Sequence, residues 1–240
     1  MEKINELALF AGAGGGLLGS VLAGWRTACA IEIDPRCREI LLARQRDGIL
    51  DRFPIWSDVR TFDGRGWRGR IDLVTGGFPC PRWSTARRGR GDPPDMRPDM
   101  LRIVGEVRPR RVFAENVHRE PIDGMALGLR RLGYHCLVIR APASAVGAPH
   151  RRVRWWVAAD ADGPIEHFFP VDEEMACVFP GTSDFWADRP SIDPDVAHGV
   201  AAGLDVYSRA VGNGQVPQLV LAIAAGLGWV DNSDLARWRS

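Results

Sequence analysis

The stretch Leu7-Ala8-Leu9-Phe10-Ala11-Gly12-Ala13-Gly14-Gly15-Gly16-Leu17-Leu18-Gly19 decides how this chain folds. Its first four residues form an apolar run of strand length, the glycines after them make a turn, and Gly16 to Leu22 reads as a helix stopped at Gly24. A glycine turn in that place lets a ligand approach the backbone at the carboxyl end of a parallel strand. Gly14-x-Gly16-x-x-Gly19 satisfies the dinucleotide fingerprint, a weak signal in so glycine-rich a stretch. Thr27 to Ile31 reads as a second strand, and it ends in Glu32-Ile33-Asp34-Pro35. An acid at that strand end is placed to accept hydrogen bonds from ribose hydroxyls. Together the two signals predict an adenosine-bearing cofactor, without saying which.

Working outward, Pro35 opens a helix to about Arg46. Ile55 to Val59 is a third strand end, where Asp58 either reaches an adenine amino group or caps a turn. Ile71 to Thr75 is a fourth strand; it stops at Gly76-Gly77 and delivers Phe78-Pro79-Cys80-Pro81. Two prolines fix the backbone around a single thiol, which marks Cys80 as a candidate nucleophile. A buried structural cysteine is the commoner fate, but a proline-rich glycine turn is poor core material. A helix over Met100–Val107 and a strand over Val112–Ala114 follow, the strand ending in Glu115-Asn116-Val117. Next come a helix over 122–132, a strand from Tyr134 to Arg140, and an alternating stretch, Arg152 to Val157, that ends the sheet.

Strand-helix alternation over 1–158 predicts an α/β parallel sheet with helices on both faces. From 159 to 210 the pattern breaks down, which predicts a small, irregular second domain. Residues 211–230 supply a last apolar helix, begun by Gly212-Asn213-Gly214-Gln215-Val216-Pro217 and packed back on the sheet.

Composition bounds the class. Apolar content of 45% and charged content of 25% are ordinary globular values. No apolar run reaches transmembrane length, and the first residues do not read as a signal peptide, so a cytoplasmic, non-membrane protein is expected. The five cysteines (29, 37, 80, 136, 177) have no CxxC pair, which argues against a zinc site or disulfide framework. Net charge is only +1, yet nine arginines against four acids stand between Arg82 and Arg111. Such a run is usually a solvated face, but beside a nucleophile it is what a phosphate-contacting loop needs.

These features, in this order, resemble the S-adenosylmethionine-dependent DNA cytosine 5-methyltransferases. Phe10-Ala11-Gly12-Ala13-Gly14-Gly15 resembles the family's cofactor loop, and Gly77-Phe78-Pro79-Cys80 its nucleophile motif. Glu115-Asn116-Val117 matches its Glu-Asn-Val motif. His150-Arg151-Arg152-Val153-Arg154 is similar to its Gln-x-Arg-x-Arg motif, and Gly212-Asn213 to its late Gly-Asn motif. The chain departs from the pattern at Pro81 and His150, where the family carries Gln, at Ile33, often aromatic, and at Gly214, commonly Ser. The resemblance implies a Rossmann-like methyltransferase fold whose target-recognition region, residues 159–210, is short.

It also implies the chemistry. Cys80 adds to carbon 6 of cytosine, making carbon 5 nucleophilic. Glu115 holds or protonates ring nitrogen 3, while Arg154 and Arg152 fix the carbonyl edge and support the thiolate. Phe10, Gly12, Gly14, Glu32, Ile33, Asp58, Pro79 and Asn213 surround the cofactor. Arg82, Ser84, Arg87, Arg88 and Arg90 contact double-stranded DNA, whose target base is flipped out. Phe168, Phe169, Phe179, Phe185 and Trp186 form a small core or a DNA-facing wedge, the core being favoured. No metal is expected. The expected setting is a bacterial or phage-encoded restriction-modification enzyme in the host cytoplasm, a monomer, with a dimer or an accessory protein as alternatives. Rival readings are an RNA or modified-base substrate, a different transferred group, a catalytically silent nucleic-acid-binding homologue, and a nicotinamide-dependent oxidoreductase.

Overall fold

The computed structural model describes residues 3–79, 94–148, 152–166 and 215–230. In chain order the elements are β1 (Asn5–Leu9), α1 (Gly15–Leu22), β2 (Arg26–Ile31), α2 (Pro35–Arg46) and β3 (Ile55–Trp56). Then come β4 (Leu73–Gly77), α3 (Arg97–Val107), β5 (Arg111–Asn116) and α4 (Arg119–Arg131). Last are β6 (His135–Ala141), β7 (Arg154–Asp160) and α5 (Pro217–Gly226).

The seven strands form one sheet in the order β3-β2-β1-β4-β5-β7-β6. β1 to β5 run parallel, each reached by a crossover, as expected. β7 corrects the expectation twice: it is antiparallel to both β5 and β6, and it lies between them rather than at the edge. The physical reason is the connection. A parallel return needs a crossover, usually helical. The described part of the β6–β7 link carries only a 3-10 turn at Ala143–Val146. Alternation in a strand reports neither its direction nor its place in the sheet.

Helices cover both faces. The periodic apolar residues Met100, Ile103, Val104 and Val107 of α3, with Ile122, Met125, Ala126 and Leu129 of α4, are buried against one face beside Val74, Val112 and Val157. On the other face α1 and α2 bring Leu17 and Leu41 onto Ala8 and Ala30. There α5 is buried almost all round, with Leu219 to Ala224 lying among Leu73, Phe113 and Trp156. Phe113 and Trp156 stack at 4.7 Å between ring centroids. α5 can sit so close to α1 because residue 19 is glycine, where a Cβ would fall 2.5 Å from Val220 Cβ.

Local chemistry sets the ends of the elements. Asp34 caps α2 by accepting from the Arg36 and Cys37 N–H groups, and Pro35 follows at the first turn. β3 is shorter than expected because Asp58 accepts from Arg60 N–H and starts a 3-10 turn at Val59–Thr61. β4 runs on through Gly76 and Gly77 rather than stopping before them, since Gly77 pairs with Glu115 of β5. β7 extends to Asp160, two residues beyond the boundary drawn at 158.

One buried carboxylate ties four elements together. Glu6 of β1, 1% exposed, accepts Ser20 Oγ at 2.8 Å and Thr75 Oγ1 at 2.6 Å on one oxygen and Thr27 Oγ1 at 3.1 Å on the other. Burial pushes its pKa up, and the three hydroxyls offset only part of that rise.

Candidate active site

At the carboxyl edge of the sheet a single carboxylate locks the first glycine turn to the end of β2. Glu32, 7% exposed, accepts the Gly12 N–H on Oε2 at 2.6 Å and the Asp34 N–H on Oε1 at 2.7 Å. Arg38 holds the same segment from α2, its Nη1 donating to the carbonyls of Glu32 at 2.9 Å and Ile33 at 2.6 Å. Gly12 has φ 55°, a left-handed backbone that glycine adopts without strain, and a Cβ there would meet no atom within 4 Å. The turn therefore opens onto free space. Each carboxylate oxygen of Glu32 has a second lone pair, so the group can still accept from a diol while held by the backbone.

Around this cradle stand other residues expected on the cofactor side. Phe10 leaves β1 with φ 54°, an uncommon backbone for an aromatic residue and one that clusters at functional sites. Gly14, φ 93°, begins α1 with no side-chain cap. Ile33 is 59% exposed, an apolar side chain beside Glu32. Asp58 is the turn cap, and Arg60 grips both its oxygens at 2.6 to 3.1 Å. That guanidinium and the Arg60 N–H hold the Asp58 carboxyl below its usual range. The turn-capping role is thus realised in the structure.

The second half of the site gathers on β4, β5 and β7. Glu115 pairs with Gly77 on one side and Trp156 on the other, and it is 5% exposed. Arg154 shares its face, two residues along β7 from Trp156. Its Nε stands 3.1 Å from Glu115 Oε1. Oε1 nevertheless has no well-aligned hydrogen bond among the described residues. We read the pair as an ionic contact whose N–H points elsewhere, because the short separation is compatible with poor alignment. Arg154 Nη1 donates to Val153 O at 2.9 Å.

Burial pushes the Glu115 carboxyl up to about 7, against the opposing pull of Arg154 and then Arg152. A carboxyl poised there exchanges a proton readily near neutral pH. Arg152 has φ 25°; burial and the neighbouring Arg154 bring its guanidinium down to about 10. Burial likewise lowers Arg154.

Asn116 links this carboxyl to the end of β4. Its Nδ2 donates to Phe78 O at 2.9 Å, and its Oδ1 accepts the His118 N–H at 3.1 Å. Phe78 is buried and Pro79 exposed, so the backbone entering position 80 is pinned beside β5. Cys80 lies outside the described residues, as do Arg82, Ser84, Arg87, Arg88, Arg90, Asn213 and the five aromatic residues between 168 and 186. Burial pushes the thiols of Cys29, Cys37 and Cys136 each up to about 11, which makes them poor nucleophiles.

Gln215 was not among the sequence-predicted site residues, yet it stands between the two halves. A Cβ on Gly15 would run into its backbone carbonyl, and a Cβ on Gly16 into its Oε1. At Gly77 a Cβ would lie 3.0 Å from Glu115 Oε2 and 3.3 Å from Gln215 Nε2. Glycines from two separate elements thus make room for one side chain. Their clustering was visible in the sequence; the partner some two hundred residues away was not. Among the described residues no helix is long and apolar enough to cross a membrane, and no group of His, Cys, Asp or Glu could hold a metal ion.

A seven-stranded sheet of this order, with the cradle and Glu115 at its carboxyl edge, defines a Rossmann-like S-adenosylmethionine-dependent methyltransferase fold. The structure of S. pombe Dnmt2 methyltransferase shares the fold, with a TM-score of 0.55 and 19% identity over 80% of this chain and 57% of that one. An E. coli prophage-encoded protein described as a DNA modification methyltransferase matches at TM-score 0.53 and 26% identity, over 70% of this chain and 51% of that one. The C-5 cytosine-specific DNA methylase family matches residues 4–175. The chain belongs to that family. Among curated relatives, type II methyltransferase M.NgoMIV of Neisseria gonorrhoeae is 37% identical over 48% of this chain and 36% of its own length. M.CviJI of Paramecium bursaria Chlorella virus IL3A is 31% identical over 65% of this chain and 43% of its own length. The chain thus spans less than half the length of either relative.

Proposed function

We propose that the protein transfers a methyl group from S-adenosylmethionine to carbon 5 of cytosine in double-stranded DNA, through a covalent adduct of Cys80 with a flipped-out base. The observation that carries this reading is Glu115. It is a buried carboxyl poised near neutrality, paired with Arg154, and set opposite Gly77, the last residue of the strand that leads to Cys80.

The residues fit the cofactor. The open space over Gly12, the anchored Glu32 and the exposed apolar Ile33 suit a ribose and an adenine face, with Phe10, Gly14, Asp58, Pro79 and Asn213 around them. When bound, S-adenosylmethionine supplies an electrophilic methyl group, which an activated carbon 5 can take.

The chain's own groups do the rest. The Cys80 thiolate adds to carbon 6, forming a carbon–sulfur bond and pushing electron density toward carbon 5 and nitrogen 3. Protonated Glu115 donates to nitrogen 3 as negative charge builds there. Arg154, with Arg152 behind it, holds the base's carbonyl edge. After methylation a base, for which water suffices, removes the carbon 5 proton, the carbon–sulfur bond breaks to return the thiolate, and nitrogen 3 gives its proton back to Glu115. Arg82, Ser84, Arg87, Arg88 and Arg90 contact the DNA backbone, giving salt-sensitive binding. Residues 159–210 read the sequence around the target.

The test is incorporation of labelled methyl from S-adenosylmethionine into unmethylated DNA, with RNA as a parallel substrate. Incorporation into DNA at cytosine supports the reading. Incorporation into RNA alone, or none with cofactor bound, overturns it.

A further inference from the structure

We propose that Arg102 is a positioning residue for Asp58, holding from α3 the turn that presents this carboxylate to the adenine amino group of the cofactor. The inference rests on the reading of Asp58 as a cofactor contact. It adds a residue that neither the sequence motifs nor the family likeness assigned, and with it a source of base selectivity in cofactor binding.

The turn after β3 has little backbone support of its own. β3 is two residues long and pairs with β2 alone, so strand pairing ends before Asp58 is reached. Asp58 starts the turn by accepting the Arg60 N–H at 2.9 Å, and the Phe62 N–H closes it on the Val59 carbonyl at 3.3 Å.

The rest of the support comes from α3. Arg102 Nη2 donates to Val59 O at 2.7 Å and Nη1 to Phe62 O at 3.0 Å, the carbonyls of the first residue of the 3-10 turn and of its C-cap. A carbonyl has two lone pairs, so Val59 O serves both Phe62 and Arg102. Nη1 also donates to both oxygens of Glu106, one helical turn further on, at 2.9 and 3.0 Å. Glu106 Oε2 in turn accepts the Gly64 N–H at 2.8 Å. Glycine at 64 permits that approach, since a Cβ there would fall 2.9 Å from Val107 Cγ2. Val59 and Phe62 are buried in one cluster with Met100 and Ile103 of α3, so apolar contact and hydrogen bonds fix the turn together.

This grip leaves Asp58 able to take a ligand. Arg60 offers it three N–H groups, from the backbone N, Nε and Nη2. An ionised carboxylate has about four lone-pair sites, so one remains for an amino N–H. Arg60 belongs to the same turn and its side chain is 57% exposed, so it moves with Asp58 rather than anchoring it. Arg102 stands on a separate, buried-faced helix and sets where the carboxylate sits. An amino group donates to a carboxylate held there, whereas a carbonyl on the same ring position meets it as a second acceptor.

The experiment compares S-adenosylhomocysteine with S-inosylhomocysteine, in which a carbonyl oxygen replaces the adenine amino group, by calorimetric titration of the full chain. Wild type is expected to prefer the adenine ligand about tenfold or more, and Asp58→Ala to lose that preference. Arg102→Met, which keeps the aliphatic stem, should cut the preference at least about threefold, and Arg102→Lys, which keeps the charge, should cut it less. A wild-type preference retained in folded Arg102→Met, even with both ligands weakened, overturns the proposal and leaves Asp58 as the contact. A wild type that binds the two ligands equally overturns the reading of Asp58 and this proposal with it. Selectivity lost in a chain that transfers no methyl group sustains the proposal while overturning the reaction assigned above. Should Arg102→Met fail to fold, Arg102→Lys and Glu106→Gln decide by the same ratio of affinities. A wild-type ratio in both overturns the proposal.

Discussion

Glu32 accepts the Gly12 N–H at 2.6 Å, so a side chain joins the backbone bond from Ala11 N–H to Ile31 O, 3.0 Å, in fastening the glycine turn after β1 to the end of β2. The other oxygen holds the Asp34 N–H, which in turn sets the cap of α2. One carboxylate therefore shapes the glycine turn and offers its remaining lone pairs to a ligand.

Replacing Glu32 with Ala should weaken binding of S-adenosylhomocysteine at least about tenfold and lower stability by about 1–2 kcal/mol, since two part-buried N–H groups lose their acceptor. Calorimetric titration with that ligand and thermal unfolding check the two effects separately. Unchanged affinity would show that Glu32 serves only the fold.

Glu115 makes stability depend on pH in a stated direction. Its folded pKa of about 7 lies above the ordinary 4.5, so its stabilising contribution is complete below about 4.5 and is lost as pH rises through 7. Glu115→Gln removes that dependence. Relative to wild type, the variant should gain on the order of 2–3 kcal/mol between pH 4.5 and 8 in denaturant titrations. A stability difference flat with pH would place the carboxyl at its ordinary value.

Asn116 acts on the segment before Cys80 rather than on the cofactor. Asn116→Ala breaks the bond to Phe78 O and should cut kcat about tenfold or more, leaving affinity for S-adenosylhomocysteine within about twofold. Equal losses in both would mean that the residue supports the whole edge of the sheet.

Gly19→Ala is the structural control. Its Cβ would meet Val220, so overpacking between α1 and α5 should cost about 1–3 kcal/mol, read in the unfolding midpoint. A neutral outcome would show that α5 can shift outward.

Much of this architecture is legible in local sequence because local chemistry specifies it. Asp34 before Pro35 announces α2, which runs from Pro35 to Arg46 as expected. Glu32 and Glu115 are legible because each stands at the end of an apolar strand. The direction and place of β7 are not legible, because a strand's apolar pattern carries neither. Glu6 was overlooked because an acid in an alternating stretch reads as solvent-facing; its three hydroxyl partners come from elements as distant as β4. Gln215 and Asn116 escaped for the same reason. Both stand in stretches the sequence singles out, but what they do depends on contacts with distant elements, which no local pattern announces.

The most direct test of the central claim is covalent capture on DNA in which the target cytosine carries fluorine at carbon 5, where the enzyme cannot release the adduct. With S-adenosylmethionine present, wild type should form a denaturation-resistant protein–DNA complex, and Cys80→Ala should form none while still binding S-adenosylhomocysteine. Capture that persists in Cys80→Ala, or wild-type methylation without any capture, would contradict the covalent mechanism.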